Sequence, residues 1–165
     1  MSTENKRDLM ETAVKEADKV LVGIGTEWAS SDEARIAEIE KAAGNLKKLM
    51  EGKDYFVITS LKDQDLSRLP FEKERMVAPL DESYVHEDWD RYLKWLSYTM
   101  HEKTAILELG EGFEHPEIIR WAFEKAATIN LKACLFRVNE KFYQLPEEAM
   151  ERSTPMEADS VLLFQ

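Results

Sequence analysis

Cysteine is almost absent from this chain of 165 residues. The single Cys134 excludes an intramolecular disulfide and any zinc site built from four cysteines. The three histidines are well separated along the chain and do not replace the missing ligands. We therefore predict that the protein binds neither zinc nor another metal ion.

Long apolar runs are also missing. No run approaches the roughly 20 residues that a membrane-spanning helix needs. Residues 1–7 lack the apolar core of a signal peptide. We therefore expect no membrane partner and a cytoplasmic location.

Basic residues are too few to balance the acidic ones. The chain has 22 Lys and Arg against 33 Asp and Glu, which gives a formal net charge of -11. Such a surface repels phosphate backbones, so nucleic acid is not an expected partner. The chain shows no repeat, linker or low-complexity tract, and we predict one domain over residues 1–165.

Apolar runs that end in small or polar residues alternate with amphipathic stretches along the chain. This alternation predicts strands over 19–23, 55–59, 104–109 and 131–138, with shorter ones over 75–79 and 160–164 and a short extension over 141–145. Helices are predicted over 8–18, 31–52, 86–101 and 116–128. The fold class is therefore α/β, a three-layer Rossmann-like architecture with a mostly parallel sheet of about six strands and helices on both faces.

Ligands bind such sheets beyond the carboxyl ends of the strands, so the residues after each strand are the candidates for a binding site. Gly23 and Gly25 follow the first strand, but the position of the third glycine of the dinucleotide fingerprint is Trp28. The chain also lacks the Gly-Lys-Ser/Thr of a phosphate-binding P-loop. The spacing of the two glycines leaves ligand contact and a simple tight turn equally open.

The residues that follow the strands resemble the sirtuin pattern. Sirtuins carry Gly-Ala-Gly-Ile-Ser, Thr-Gln-Asn-Ile-Asp, Gly-Thr-Ser and Ile-Asn at four strand ends. This chain carries Gly-Ile-Gly-Thr-Glu at 23–27, Thr-Ser-Leu-Lys-Asp at 59–63, Gly-Glu-Gly at 110–112 and Val-Asn at 138–139. Residues 107–113, Leu-Glu-Leu-Gly-Glu-Gly-Phe, are similar to the Glu-Leu-Gly-Val-Gly-Phe of small bacterial sirtuin-like proteins. The chain thus resembles a small, divergent member of the sirtuin/DHS-like NAD-binding domain superfamily.

This resemblance implies a small nucleotide ligand, NAD or ADP-ribose. It places the diphosphate beside the glycines of the first loop, near the start of the helix at Ser31, and the adenosine ribose at Asn139. The residues that the resemblance assigns to cofactor binding are Gly23, Gly25, Thr26, Glu27, Thr59, Asp63, Gly110, Gly112 and Asn139.

Several sirtuin features are absent. The Asp-Phe-Arg of the first motif is missing, the asparagine of the second motif is Leu61, and the region of the catalytic His-Gly reads Val-Ala-Pro-Leu-Asp at 77–81. Without the four zinc cysteines, the small domain is reduced to an insertion around 69–87. Protein deacetylation needs a base to activate a ribose hydroxyl. We therefore predict that this activity is absent.

Carboxylates are abundant near the predicted strand ends, and they can hold ribose hydroxyls or stabilise an oxocarbenium-like centre. The candidates for a catalytic role are Glu27, which replaces a sirtuin serine, Asp63, and Glu108, whose position in an apolar strand favours a raised pKa. The alternative is that these groups belong to a solvated acidic surface. The other carboxylates in these segments are Asp65, Asp81, Glu111 and Glu114.

Three functional hypotheses follow. The first is a sirtuin-like domain that binds NAD, ADP-ribose or a related nucleotide without deacetylating protein. The second is an enzyme that cleaves an N-glycosidic bond, as an NAD glycohydrolase does, with a carboxylate at the strand ends. The third is a non-catalytic protein-interaction module. The sequence carries no signal for an oligomeric state.

Overall fold

The computed structural model describes residues 1–165 and contains a single six-stranded sheet. The strands run in the order β3-β2-β1-β4-β5-β6, and every neighbouring pair is parallel. Chain order therefore reverses between β1 and β4. The strand bounds are β1 Lys19–Ile24, β2 Asp54–Thr59, β3 Met76–Val77, β4 Thr104–Leu109, β5 Ala133–Asn139 and β6 Ser153–Glu157.

Five α-helices cover the two faces of the sheet, which confirms the predicted three-layer α/β architecture. One core cluster joins α1 and α2 to alternate residues of the strands, such as Val20 and Val22. The opposite cluster joins α4 and α5 to the residues in between, such as Leu21 and Ile106. The helix bounds are α1 Thr3–Glu16, α2 Glu33–Leu49, α3 Asp63–Ser67, α4 His86–Ser97 and α5 Arg120–Ile129.

The register of the central strands brings three strand ends to one edge of the sheet. Ile24, the last residue of β1, lies opposite Thr59 of β2 and Leu109 of β4. The residues that follow these strands therefore meet at the point where strand order reverses. In doubly wound sheets this reversal opens a crevice between the loops.

Three local predictions are corrected by the structure. The apolar residues 160–164 do not form the last strand, because a 3₁₀ turn at Leu162–Phe164 buries Leu163 and Phe164 instead. The last strand is β6, at the sheet edge, where the missing amide hydrogen of Pro155 is tolerated. Residues 141–145 form no strand, and α5 begins at Arg120 rather than at Pro116.

The predicted insertion around 69–87 contains a 3₁₀ turn at Lys73–Arg75, the edge strand β3 and the approach to α4. Thus one part of this segment belongs to the main sheet. None of the five α-helices combines the length and the apolar character that a membrane span requires. No group of three or more His, Cys, Asp or Glu side chains is arranged to hold a metal ion.

Candidate functional site

Two cavities lie beyond the carboxyl ends of β1 and β4, and Thr26 lines both of them. We call them together the crevice. The first has a volume of about 260 Å³ and is lined by Thr26, Ala29, Ser60, Leu61, Lys62, Asp65, Leu80, Glu111, Glu114 and His115. The second has a volume of about 230 Å³ and is lined by Thr26, Glu27, Gly110, Gly112, Asn139, Glu140, Lys141 and Phe142.

Glu111 is the most unusual side chain of the crevice. It follows Gly110, whose left-handed φ of 74° turns the chain at the end of β4. Only 2% of Glu111 is exposed, and its Oε1 accepts hydrogen bonds from Ser60 Oγ at 3.2 Å and from the Gly112 amide at 3.1 Å. Its Oε2 is buried and has no hydrogen-bond partner. Buried polar atoms without partners are rare and often mark functional sites.

Burial raises the pKa of Glu111 to about 7, because the charged form loses its hydration. The hydrogen bonds from Ser60 and Gly112 oppose this rise, and the nearby charge of Glu108 adds to it. Glu111 therefore exchanges a proton close to neutral pH. A carboxyl group in this state can serve as a proton donor or acceptor.

Two of the glycines that the resemblance assigns to ligand binding lie in close packing contacts. A Cβ atom on Gly25 would lie 2.3 Å from the Glu111 Cα and 2.5 Å from the Gly110 carbonyl oxygen. A Cβ atom on Gly23 would lie 2.7 Å from side-chain atoms of Ile119 and Phe123 on the α5 side. These glycines let backbone and helix approach β1, and they leave no room for a diphosphate at their own α-carbons.

The other two glycines differ from each other. A Cβ atom on Gly110 would meet Glu27 and Ser160. Gly112 has no atom within 4 Å of the position of a Cβ atom, so it faces open space in the second cavity. Of the predicted glycines, Gly112 is the one whose missing side chain leaves room for a ligand.

The carboxylate of Glu27 holds three segments together. Its Oε1 accepts hydrogen bonds from the Ser160 amide at 3.0 Å and from Ser160 Oγ at 2.6 Å. Its Oε2 accepts from the Glu140 amide at 2.8 Å. Both oxygens thus join the loop after β1 to the loop after β5 and to the C-terminal segment.

Thr59 and Asn139 also use their polar atoms within the fold. The hydroxyl of Thr59 donates to the Ile24 carbonyl at 2.7 Å. The side-chain amide of Asn139 donates to the Glu111 carbonyl at 2.8 Å, and its oxygen accepts from the Lys141 and Phe142 amides, both at 2.9 Å. Asn139 therefore shapes the second cavity by joining its two sides.

The start of α2, where the resemblance places a phosphate, is surrounded by carboxylates. Asp32 caps the helix by accepting a hydrogen bond from the Arg35 amide at 3.0 Å. The Ser30 amide donates to Asp65 at 3.1 Å. Asp63 is exposed, with a left-handed φ of 56°, and its amide donates to Asp81 at 2.8 Å. Asp32 and Asp65 thus use amides near the start of α2 that would otherwise be free to bind an anion, and Asp81 does the same at the start of α3.

Glu108 lies outside the crevice, in a buried cluster between the sheet and α5. Arg137 donates to its two oxygens at 2.7 and 3.0 Å, and Arg120 lies 3.4 Å away. Arg137 also pairs with Glu124 at 2.7 Å. Burial raises the pKa of Glu108, while the arginines oppose the rise. The cluster fixes α5 against β4 and β5, and Glu108 has no access to a ligand.

Two aromatic rings stand beside the second cavity. Phe113 and Phe142 are 56% and 42% exposed, and their rings meet edge to face with centroids 5.1 Å apart. The guanidinium carbon of Arg120 lies 4.2 Å from the centroid of the Phe113 ring. The cation fixes the orientation of this ring and leaves apolar surface next to the cavity.

In the sequence, Glu111 is one of several carboxylates near the predicted strand ends, and the sequence predicts no role for it. One signal marks it as buried: the similar sirtuin-like motif Glu-Leu-Gly-Val-Gly-Phe has an apolar valine at this position. Ser60, Lys62 and His115 line the first cavity and were not predicted as site residues. Ser60 and Lys62 lie within the segment 59–63 that resembles a sirtuin motif, but they differ from the residues of that motif, and His115 joins them only through the strand order.

Comparison with known proteins gives limited similarity. No family model matches the chain. An 83-residue stretch, half of this chain, is 25% identical to a protein ADP-ribosyltransferase of Staphylococcus aureus strain Mu50. The matched stretch covers 26% of that protein's length, so this chain spans about a quarter of it.

Proposed function

We propose that the crevice binds NAD, ADP-ribose or a related nucleotide. The observation that carries this proposal is the position of the crevice. It opens where the strand order of an all-parallel sheet reverses, and a buried carboxyl oxygen without a partner lies within it. The Staphylococcus aureus relative is named for ADP-ribosyl transfer, which supports an ADP-ribose-containing ligand.

The residues present fit such a ligand in specific ways. Lys141 can pair with a phosphate, and Gly112 leaves space beside it. The ring of Phe142 offers an apolar surface to a base. The free Oε2 of Glu111 can bond a hydroxyl or an amide of the ligand in the first cavity. Gly23, Thr59 and Asn139 would act indirectly, by shaping the loops.

The test is a titration of the protein with NAD and with ADP-ribose by calorimetry and thermal unfolding. A bound ligand raises the free energy of unfolding, by about 3 kcal/mol at a hundred times its Kd. Thr26→Trp should abolish binding, because Thr26 is exposed and lies between the two cavities. Thr12→Trp, at an exposed position of α1, is the matched control and should bind as the wild type does.

Absence of binding by either nucleotide at millimolar concentration would contradict the proposal. Equal binding by Thr26→Trp and wild type would show that the ligand lies elsewhere. The hypothesis of an interaction module would then be favoured.

A second candidate function is cleavage of an N-glycosidic bond, and the state of Glu111 favours it. In such a reaction the electron pair of the bond leaves with the base nitrogen, and a carboxylate stabilises the positive charge that develops at the sugar carbon. Water then forms the new bond to that carbon and gives up a proton, so the products are the free base and the sugar hydroxyl. Of the carboxylates considered, Glu27 and Glu108 use both oxygens within the fold. Glu111 keeps one oxygen free at the cavity. Release of nicotinamide in the NAD titration would support this function, and its absence in bound samples would oppose it.

We also propose that protein deacetylation is absent. The region of the sirtuin His-Gly coincides with the end of β3 and the following Ala78 and Pro79, which offer no base. The histidine that lines the first cavity is His115, which lies outside this region of the sequence. Its Nδ1 lies 3.7 Å from Glu117. An assay for acetate release from an acetylated peptide in the presence of NAD tests this expectation.

A further inference from the structure

A third cavity, separate from the crevice, lies between α4 and α5, and we call it the interhelix cavity. Its volume is about 310 Å³, at the lower end of the range of small-molecule sites. Leu21 of β1 and Ile106 of β4 form its floor, and Thr104, the first residue of β4, lines one end. It therefore lies toward the amino ends of the strands, opposite the edge that carries the crevice.

The cavity exists because small side chains face large ones across the gap. α5 contributes Ala122 and Ala126, one helical turn apart, and α4 contributes Leu93 and Leu96. An alanine side chain ends at Cβ, so it does not fill the space between the helices. The leucine side remains accessible, with Leu93 46% exposed. Water gains few hydrogen bonds in such an apolar space.

The polar residues at the inner end of the cavity are already paired with one another. Asn130 donates from its side-chain amide to the Thr99 carbonyl at 2.9 Å and to Thr104 Oγ1 at 3.3 Å. The Thr99 hydroxyl donates to the Leu96 carbonyl at 2.7 Å. The inner end therefore favours an apolar group over one that needs hydrogen bonds.

Lys125 is the single charged residue that lines the cavity. It is exposed, and it forms no ion pair with any carboxylate of the chain, although the chain carries a net charge of -11. The mouth thus presents one unpaired cation above an apolar interior. A ligand with an anionic head and a hydrocarbon tail complements both features.

We propose that the interhelix cavity binds an aliphatic carboxylate, with its hydrocarbon chain between α4 and α5 and its carboxylate at Lys125. A second copy of this chain is a poorer occupant, because two copies with the same large negative charge repel each other. This site is independent of the proposed nucleotide site.

The test is calorimetric titration of the full chain with hexanoate, octanoate and decanoate, each below its critical micelle concentration. Affinity should rise about fourfold for each added methylene until the chain fills the cavity. Decanol should bind more weakly than decanoate, and decylamine should bind still more weakly because Lys125 repels its charge. Lys125→Gln should weaken decanoate binding about threefold to fivefold and leave decanol unchanged.

Two further variants test the location. Ala126→Phe fills the cavity and should abolish binding, and Ala122→Leu, a milder change, should reduce it at least tenfold with little loss of thermal stability. Lys94→Gln, at an exposed lysine of α4 outside the cavity lining, is the control and should bind as wild type.

The proposal is overturned if decanoate shows no saturable binding, if decylamine binds as well as decanoate, or if Ala122→Leu binds with wild-type affinity. It is also overturned if size-exclusion chromatography shows a dimer that Ala122→Leu dissociates, because the cavity would then serve as a subunit interface.

Discussion

Burial of Glu111 has an energetic consequence that can be measured. Its pKa is about 7 in the folded protein, against an ordinary value of 4.5. Between these two values the folded protein holds a proton that the unfolded chain releases. The stabilising contribution is therefore fully present below about pH 4.5 and is lost as pH rises through about 7.

We predict that Glu111→Gln gains stability relative to wild type as pH rises. The difference in the free energy of unfolding should move in favour of the variant by up to about 3 kcal/mol between about pH 4.5 and 7, and should stay constant above that. Urea unfolding of both proteins across this range measures the difference.

Glu114→Gln is the control for this series, because Glu114 lines the same cavity but is exposed. Its difference from wild type should show no such trend. A pH-independent difference for Glu111→Gln would mean that the carboxyl is ionised normally in the folded state.

The loops after β1 and β4 pack backbone against backbone, and this contact defines the floor of the crevice. The Gly25 amide donates to the Leu109 carbonyl at 2.9 Å, and the Glu27 amide donates to the Gly110 carbonyl at 3.1 Å. Gly25 thus allows the backbones of these two loops to approach each other closely. A side chain at Gly25 would meet the backbone of Gly110 and Glu111, so a change at this position would disturb the fold itself.

We predict that Gly25→Ala destabilises the protein by about 1–3 kcal/mol, because the new methyl group would meet backbone atoms that have no room to move. Gly44→Ala provides the opposite case. Gly44 lies within α2 with no atom within 4 Å of the new methyl group, so this change should stabilise the protein by about 0.5–1 kcal/mol. Thermal and urea unfolding measure both changes.

Equal effects of the two glycine substitutions would contradict this account. A neutral Gly25→Ala, in particular, would mean that the loops after β1 and β4 separate easily. The crevice would then lack a fixed floor.

The net charge of the whole molecule opposes its compact state. With a formal charge of -11 at pH 7, carboxylates over the surface repel one another, and salt screens this repulsion. The strongly paired Glu108 is buried and is screened much less.

We therefore predict that raising sodium chloride from about 10 to about 200 mM at pH 7 increases the Tm by about 2–4 °C, equivalent to about 1 kcal/mol for a chain of this size. Near pH 4.8, the isoelectric point of the sequence, the increase should disappear because the net charge is close to zero. Differential scanning calorimetry tests both conditions. A salt effect of the same size at both pH values would assign it to causes other than net charge.

The sequence by itself determined the type and order of most elements. Strands β1, Lys-Val-Leu-Val-Gly-Ile, and β4, Thr-Ala-Ile-Leu-Glu-Leu, are almost unbroken apolar runs, so their burial on both faces of a parallel sheet could be inferred from the sequence. The prediction of a strand at 160–164 is wrong because Leu163 and Phe164 pack in the core cluster that contains α2 and do not join the sheet. The strand at the sheet edge, β6, contains Pro155, which the sequence pattern does not favour in a strand. Local patterns record burial, but they do not identify which surface a segment covers.

Only the tertiary structure decided what the polar residues at the strand ends do. Glu27 bonds Ser160, which lies 133 residues away, and Asn139 bonds the backbone of Glu111, 28 residues away. Such contacts follow from the reversal of strand order, and no short motif encodes them. The free oxygen of Glu111 has the same origin, because its burial depends on loops from β1, β2 and β4 that meet only in the folded chain.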